Sequence, residues 1–140
     1  MARHKARQAY ALLQRPVLVE DTGLAFAAWN GLPGALVKWF LTSLGAAGLC
    51  RLLQGEPNRA ATATTVFVYC DDVQLRVFSG TIDGVITGKP QGNGGFGWDA
   101  IFQPCGSERT FAEMTPKEKD RFSMRRLAVE QLRDSGLLGR

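Results

Sequence analysis

The chain has 140 residues, 45% of them hydrophobic, and carries 17 basic against 13 acidic side chains for a formal charge of +4. That supplies one globular domain, residues 1–140, with a buried core, and no apolar run is long enough to span a membrane. Three cysteines with no CxxC or Cys/His spacing argue against a zinc site and a disulfide framework, and a single histidine, His4, argues against a Ser-His-Asp or Cys-His site. The N-terminus has no signal-peptide apolar region, so a reduced, cytoplasmic setting is the expectation. Much of the basic excess sits at the two ends, in Arg3, Lys5, Arg7 and Arg15 and in Lys117, Lys119, Arg121, Arg125, Arg126, Arg133 and Arg140. Such an excess suits an anionic partner, nucleotide or nucleic acid, although solvated helix faces explain most of it.

Ala6, Tyr10 and Leu13 recur at helical spacing among Arg, Lys and Gln, which predicts an amphipathic helix over 2–14, stopped before Pro16. Val17-Leu18-Val19 then reads as a buried strand ending on two carboxylates, Glu20 and Asp21, with Thr22-Gly23 turning the backbone. Gly31-Leu32-Pro33-Gly34 is a second punctuated loop. Residues 35–44 and 46–53 read as two helices, with Gly55 just past the end of the second. Residues 60–70 alternate Thr and Val as a strand. Asp71-Asp72 is a turn, and residues 73–79 pair back as a hairpin, with Asp83-Gly84 as a further turn or bulge.

Gly88 to Asp99 reads GKPQGNGGFGWD, with five glycines in twelve residues. Ordering so much glycine is costly. Phe96 and Trp98 set between glycines, followed by Asp99, favour a loop whose backbone approaches a ligand over a flexible surface loop. Residues 100–103 are a short strand. Thr115-Pro116-Lys117-Glu118 is a helix start, with Thr as N-cap and Pro at the first position. Lys119 and Ser123, four apart, share a face if that helix continues. Alternatively Ser123 caps a second helix over 124–133, with Gly136 as its stop.

The segment from Val17 to Phe40 thus supplies carboxylates for a cation and Lys38 for an anion, a combination that suits a metal-bound phosphate. Together the phrases VLVEDTGL (17–24), GLPGALVKWF (31–40), GFGWDAIFQP (95–104) and TFAEMTPKEKDRFS (110–123), with Arg125 trailing, resemble the inosine triphosphate pyrophosphatase family in order and spacing. The resemblance implies an α/β fold with a long mixed β-sheet flanked by helices, a nucleotide cleft and usually a homodimer. It implies hydrolysis of inosine and xanthosine triphosphates, and their deoxy forms, between the α and β phosphates with Mg²⁺. Asp21 then matches the acidic position that activates water and holds metal, with Glu20 its neighbour at the metal, and Lys38 matches the lysine facing the phosphates. Phe96, Trp98 and Asp99 match the base-recognition loop; Lys119, Ser123 and Arg125 match the C-terminal base and phosphate contacts. Phosphoryl chemistry of this kind needs positioning and charge neutralisation above all, which carboxylates, metal and lysines supply.

Family members open with a strand, a Gly-rich turn and a helix leading to a second strand, and the chain is expected to lack this first strand–helix–strand and to turn over weakly. Family Ser-His-Arg reads Ser123-Met124-Arg125, and family Pro-Arg-Gly reads Pro90-Gln91-Gly92. Methionine donates no hydrogen bond to a purine oxygen. Three functions remain open: an active pyrophosphatase, an inactive relative that binds nucleotide or a partner, and a basic nucleic-acid-binding protein, for which no DNA- or RNA-binding motif appears. A purine nucleoside triphosphate is the expected ligand, and nucleic acid and membrane are not expected. A homo-oligomer is expected, because the Val17–Val19 strand loses a neighbour and its edge must be covered by the N-terminal helix, by water or by another chain.

Overall fold

The computed structural model describes residues 1–139; Arg140 of the C-terminal basic group lies outside them. In chain order the elements are α1 (Ala2–Leu13), β1 (Val17–Phe26), β2 (Pro33–Gly34), α2 (Val37–Leu52), β3 (Ala60–Cys70), β4 (Leu75–Ile86), β5 (Phe102–Pro104), α3 (Pro116–Phe122) and α4 (Met124–Asp134). The five strands form one sheet in the order β2-β1-β3-β4-β5, with antiparallel pairing at both outer ladders. Among the described residues no helix is long and apolar enough to cross a membrane. The chain divides into two compact units.

One unit comprises Met1–Thr22, Thr64–Thr81 and the chain from Met124 on. α1 ends where Gln14 adopts a left-handed conformation (φ 54°) and donates its N–H to the Tyr10 carbonyl, at 2.8 Å. Alternation along β3 sends Val66, Val68 and Cys70 to one face, where they pack with Ala6 and Tyr10 of α1 and with Val17 and Val19. Phe67 and Tyr69 go to the opposite face and pack with Phe78 and with Ala128 and Leu132 of α4. Gly80 lets α4 sit close: a Cβ there would lie 2.1 Å from the Met124 carbonyl oxygen. Asp71 closes the β3–β4 turn. Its Oδ1 accepts the N–H groups of Val73 and Gln74, both at 2.8 Å, and its Oδ2 accepts the Tyr69 hydroxyl at 2.9 Å. The Gln74 and Val73 amides, then the Tyr69 hydroxyl, hold the Asp71 carboxyl below its ordinary range.

The other unit comprises Gly23–Ala63 and Ile82–Ser123. Leu24, Phe26, Ala61, Ala63, Ile86 and Phe102 form its buried sheet face. Fully burying a side chain of Leu or Phe size contributes about 1.5–3 kcal/mol, so this layer is a main source of the unit's stability.

Two turn readings and one strand start are corrected. β1 does not stop at Glu20-Asp21 but runs on through Thr22-Gly23 to Phe26. Gly23 is there for close approach, since a Cβ would meet the carbonyl carbon and oxygen of Gly34 on β2 at 3.3 Å. Asp83-Gly84 likewise lies inside β4, where a Cβ on Gly84 would come within 2.5 Å of the Gln103 carbonyl oxygen on β5. Glycine inside a strand marks a neighbour as readily as a turn. β5 starts at Phe102, because the preceding residues turn, with Ile101 N–H donating to the Trp98 carbonyl at 3.1 Å. The run Val37–Leu52 is two helices, as read over 35–44 and 46–53, separated where Gly45 leaves helical geometry (φ 69°, ψ 174°).

Candidate functional site

The glycine-rich loop is ordered by its surroundings. Gln91 N–H donates to the Ala100 carbonyl at 2.8 Å and Gly94 N–H to the Ala112 carbonyl at 2.9 Å, while the Thr110 hydroxyl donates to the Gln91 carbonyl at 2.7 Å. Gly92 has φ 95°, and a Cβ there would lie 2.6 Å from the Ala112 carbonyl carbon, so both conformation and space require glycine. The partner segment is itself fixed by a capping box: Thr110 N–H donates to Glu113 Oε1 at 2.9 Å, and the Thr110 side chain accepts from the Glu113 backbone. Sequence reading passes over Thr110 and Glu113, although their T-x-x-E pattern is the signal that marks such a box.

At the tip of the loop Asp99 is 5% exposed. Its Oδ2 accepts the Phe96 N–H at 3.1 Å and the Lys119 ammonium at 2.7 Å. The ammonium also lies 4.9 Å from the centre of the Phe96 ring and 5.3 Å from that of Phe111. Phe96 is 82% exposed. An exposed aromatic face held over a fixed cation can stack a planar, electron-poor heterocycle. Trp98 plays a different part. It is buried, edge-on to Phe102 at 5.4 Å and tilted on Phe111 at 6.4 Å, and supports the loop from below.

α3 begins as expected: Thr115 Oγ1 accepts the Glu118 N–H at 3.2 Å, Pro116 follows, and Arg109 pairs with Glu118. The helix ends at Phe122, so Ser123 falls on an extended residue (φ −77°, ψ 123°) directly before α4 rather than one turn beyond Lys119 on a continuous helix. Lys38 is exposed in the first turn of α2. On the same helix Leu41 lies beside the loop, 3.7 Å from where a Gly97 Cβ would stand. Lys38, Phe96, Trp98, Asp99, Lys119 and Ser123 therefore all belong to one unit.

Glu20, Asp21 and Arg125 belong to the other. Arg125 Nε donates to Glu20 Oε2 at 2.6 Å, and the guanidinium lies 5.6 Å from the centre of the Phe67 ring. Both partners are substantially exposed, so the pair contributes no more than about 1 kcal/mol. Met124 is buried in the first turn of α4. Adjacent residues of an extended strand point to opposite faces. Glu20 therefore shares the Arg125 and Phe67 face, and Asp21, half-buried, shares the face of Val17 and Val19. Among the described residues no three His, Cys, Asp or Glu side chains gather as a metal cage.

Residues 1–135 match the Ham1 family. Inosine triphosphate pyrophosphatase 1 of Trypanosoma cruzi (strain CL Brener) is 50% identical over 138 residues, which cover 95% of this chain and 69% of that protein. The solved structure of a HAM1 protein from Coxiella burnetii superposes with a TM-score of 0.84 at 31% identity, over 94% of this chain and 72% of that one. A nucleoside-triphosphatase, or dITP/XTP pyrophosphatase, from Mycobacterium abscessus gives a TM-score of 0.81 at 33% identity, over 94% and 73%. By the family match over nearly its whole length, and by relatives of this similarity, the chain belongs to the Ham1 family.

Proposed function

We propose that this protein hydrolyses inosine and xanthosine triphosphates, and their deoxy forms, to the monophosphate and pyrophosphate. The observation that carries the reading is the exposed Phe96 ring above the Asp99–Lys119 pair, in a chain half identical to a relative named for this activity. Phe96 stacks the base, Asp99 holds Phe96 and Lys119 in place, and Ser123 and Arg125 supply hydrogen bonds to base and phosphate. Trp98 secures the loop that presents them. Lys38 neutralises phosphate charge, and Asp21 takes the proton from the attacking water.

Mg²⁺ is the proposed cofactor. An ion of this kind is commonly held by one or two carboxylates plus substrate phosphates and water. The donors present fit that arrangement and not an all-protein cage, since Glu20 and Asp21 face opposite sides of β1 and Glu20 is engaged by Arg125. Asp21 is the carboxylate we assign to the ion; Glu20, on the opposite face of the strand, stays with Arg125. Bound there, the ion offsets phosphate charge.

The three free thiols, Cys50, Cys70 and Cys105, support a cytoplasmic location. Pairing of β1 with β2 at Leu24 and Ala25 leaves Val17–Gly23 as sheet edge, which supports a homo-oligomer joined there; sedimentation equilibrium reads it directly. Activity is tested by pyrophosphate release from inosine triphosphate with Mg²⁺. Asp21→Asn is expected to lower kcat by about a hundredfold or more, the scale of a lost general base. Wild-type release no greater than that of Asp21→Asn would refute the reading.

A further inference from the structure

Arg59, in the short connection between α2 and β3, is not used by any role assigned above. Its guanidinium donates to three backbone carbonyls: Nε to Ile86 at 2.9 Å, Nη1 to Leu53 at 2.6 Å and Nη2 to Thr87 at 2.6 Å. These carbonyls come from two places. Leu53 is the residue that closes α2, where carbonyls lack helical partners. Ile86 ends β4, and Thr87 is the last residue before the glycine-rich loop. The backbone of Arg59 joins in, its carbonyl accepting the Ile86 N–H at 2.9 Å. Thr87 in turn donates its N–H to the Ile101 carbonyl at 2.9 Å and its hydroxyl to the Lys89 carbonyl at 2.7 Å. One planar fork therefore joins the C-terminal end of α2, in the segment that follows the break at Gly45, to the root of the loop that carries Phe96 and Asp99.

We propose that Arg59 is a positioning residue: it fixes the root of the 88–99 loop against α2 and thereby sets the place of Phe96 and Asp99 relative to that helix. Hydrogen bonds from a charged donor are stronger than neutral ones, and the rigid guanidinium spreads its donors over separate acceptors as a lysine ammonium does not. Anchors of this kind matter to the loop, because glycine-rich backbone loses much freedom on ordering. A Cβ on Gly97 would stand 3.7 Å from the Leu41 side chain, so α2 and the loop tip are neighbours and slack at the root is felt at the tip. For its catalytic consequence the proposal rests on the pyrophosphatase reading above; for its structural content it does not.

The test is Arg59→Lys, which keeps charge and stem and removes the fork. The amides of Gln91 and Gly94, both hydrogen-bonded in the loop, are expected to exchange with solvent about tenfold faster, while those of Val68 and Phe78 in the other unit keep wild-type rates. KM for inosine triphosphate is expected to rise about tenfold with kcat changed less than about threefold, the signature of lost binding order rather than lost chemistry. A purely structural staple would lower thermal stability and leave KM at the wild-type value. Exchange rates within about twofold of wild type, or loosened exchange with unchanged KM, overturn the proposal. Should Arg59→Lys not fold, Arg59→Ala refolded with ethylguanidinium, which returns the fork, is expected to recover slow exchange at Gln91 and Gly94; failure to recover it also overturns the proposal. If the wild-type protein releases no pyrophosphate, the functional reading fails, and the exchange rates alone decide whether Arg59 positions the loop.

Discussion

Lys119→Met isolates the pair at the centre of the proposed base site. The substitution keeps a long, flexible, mostly apolar side chain and removes only the ammonium. Asp99 is left as a carboxylate whose side chain is 7% exposed, with the Phe96 N–H as its remaining hydrogen-bond partner. Removing one member of a buried ion pair costs about 3–5 kcal/mol, because the other charge stays desolvated. Lys119 itself is 26% exposed and the Phe96 amide still serves the carboxylate, so the low end applies, about 3 kcal/mol. With unfolding entropy of roughly 2 cal/mol/K per residue, a chain of this length loses about 10 °C in Tm. Asp99→Asn removes the stranded charge, so the double variant is expected to recover about 1–2 kcal/mol relative to the sum of the single changes. Differential scanning calorimetry of the four proteins closes the cycle. A loss below about 1 kcal/mol for Lys119→Met, or strict additivity, would refute the picture of a desolvated pair.

Two further outcomes test the scaffold. Gly80→Ala would bring a Cβ within 2.1 Å of the Met124 carbonyl oxygen and 2.8 Å of the Ala128 nitrogen, both helix backbone, so α4 must move off the sheet; a loss of about 3 kcal/mol by urea titration is expected, and wild-type stability would mean that α4 is not seated on β4. Asp71→Asn tests the acid limb. The wild-type carboxyl is held below its ordinary value of 3.8 by the Gln74 and Val73 amides and the Tyr69 hydroxyl. Its ionised form therefore contributes stability at pH above that value, lost as pH falls through the lower folded-state value. The amide variant keeps an acceptor oxygen but cannot titrate, so its stability is expected to fall less steeply below pH 3.8 in acid titrations followed by circular dichroism; parallel curves would refute the assignment.

The sequence was most legible where one local rule acted alone. The period of α1 and its stop before Pro16, the alternation from Ala60 to Cys70, the Thr115-Pro116 helix start and the Asp71 turn each follow from near neighbours, and each element stands where its pattern places it. The misreadings share a cause. Thr22-Gly23 and Asp83-Gly84 look like turns, because glycine beside a small polar residue usually is one. In the folded chain the missing side chains make room for the backbone of β2 and of β5, neighbours that local sequence does not announce. The strand read over 73–79 likewise runs on, as β4, through Gly80, which marks the seat of α4.

The candidate site shows the same division between chemistry and placement. Which residues carry charge or a stacking face was readable from type and motif, and Lys119, Asp99 and Phe96 do come together, with the ammonium serving carboxylate and rings at once. What those residues do for one another was not readable. Phe96 and Trp98, two positions apart and alike in chemistry, divide into an exposed ring and a buried support, because the backbone turns at Gly97 (φ 60°) between them. Glu20 and Asp21, neighbours that read as a chelating pair, are separated by the pleat of the strand that carries them, and the nearest cation to Glu20 comes from a residue 105 positions away. Arg59 carries no motif at all, since a guanidinium bound to backbone carbonyls is specified by where three chain segments meet and not by the residues beside it. Roles that rest on side-chain chemistry can thus be assigned from the chain alone, whereas roles that rest on carbonyls and on the absence of a Cβ emerge only when distant backbone is brought into contact.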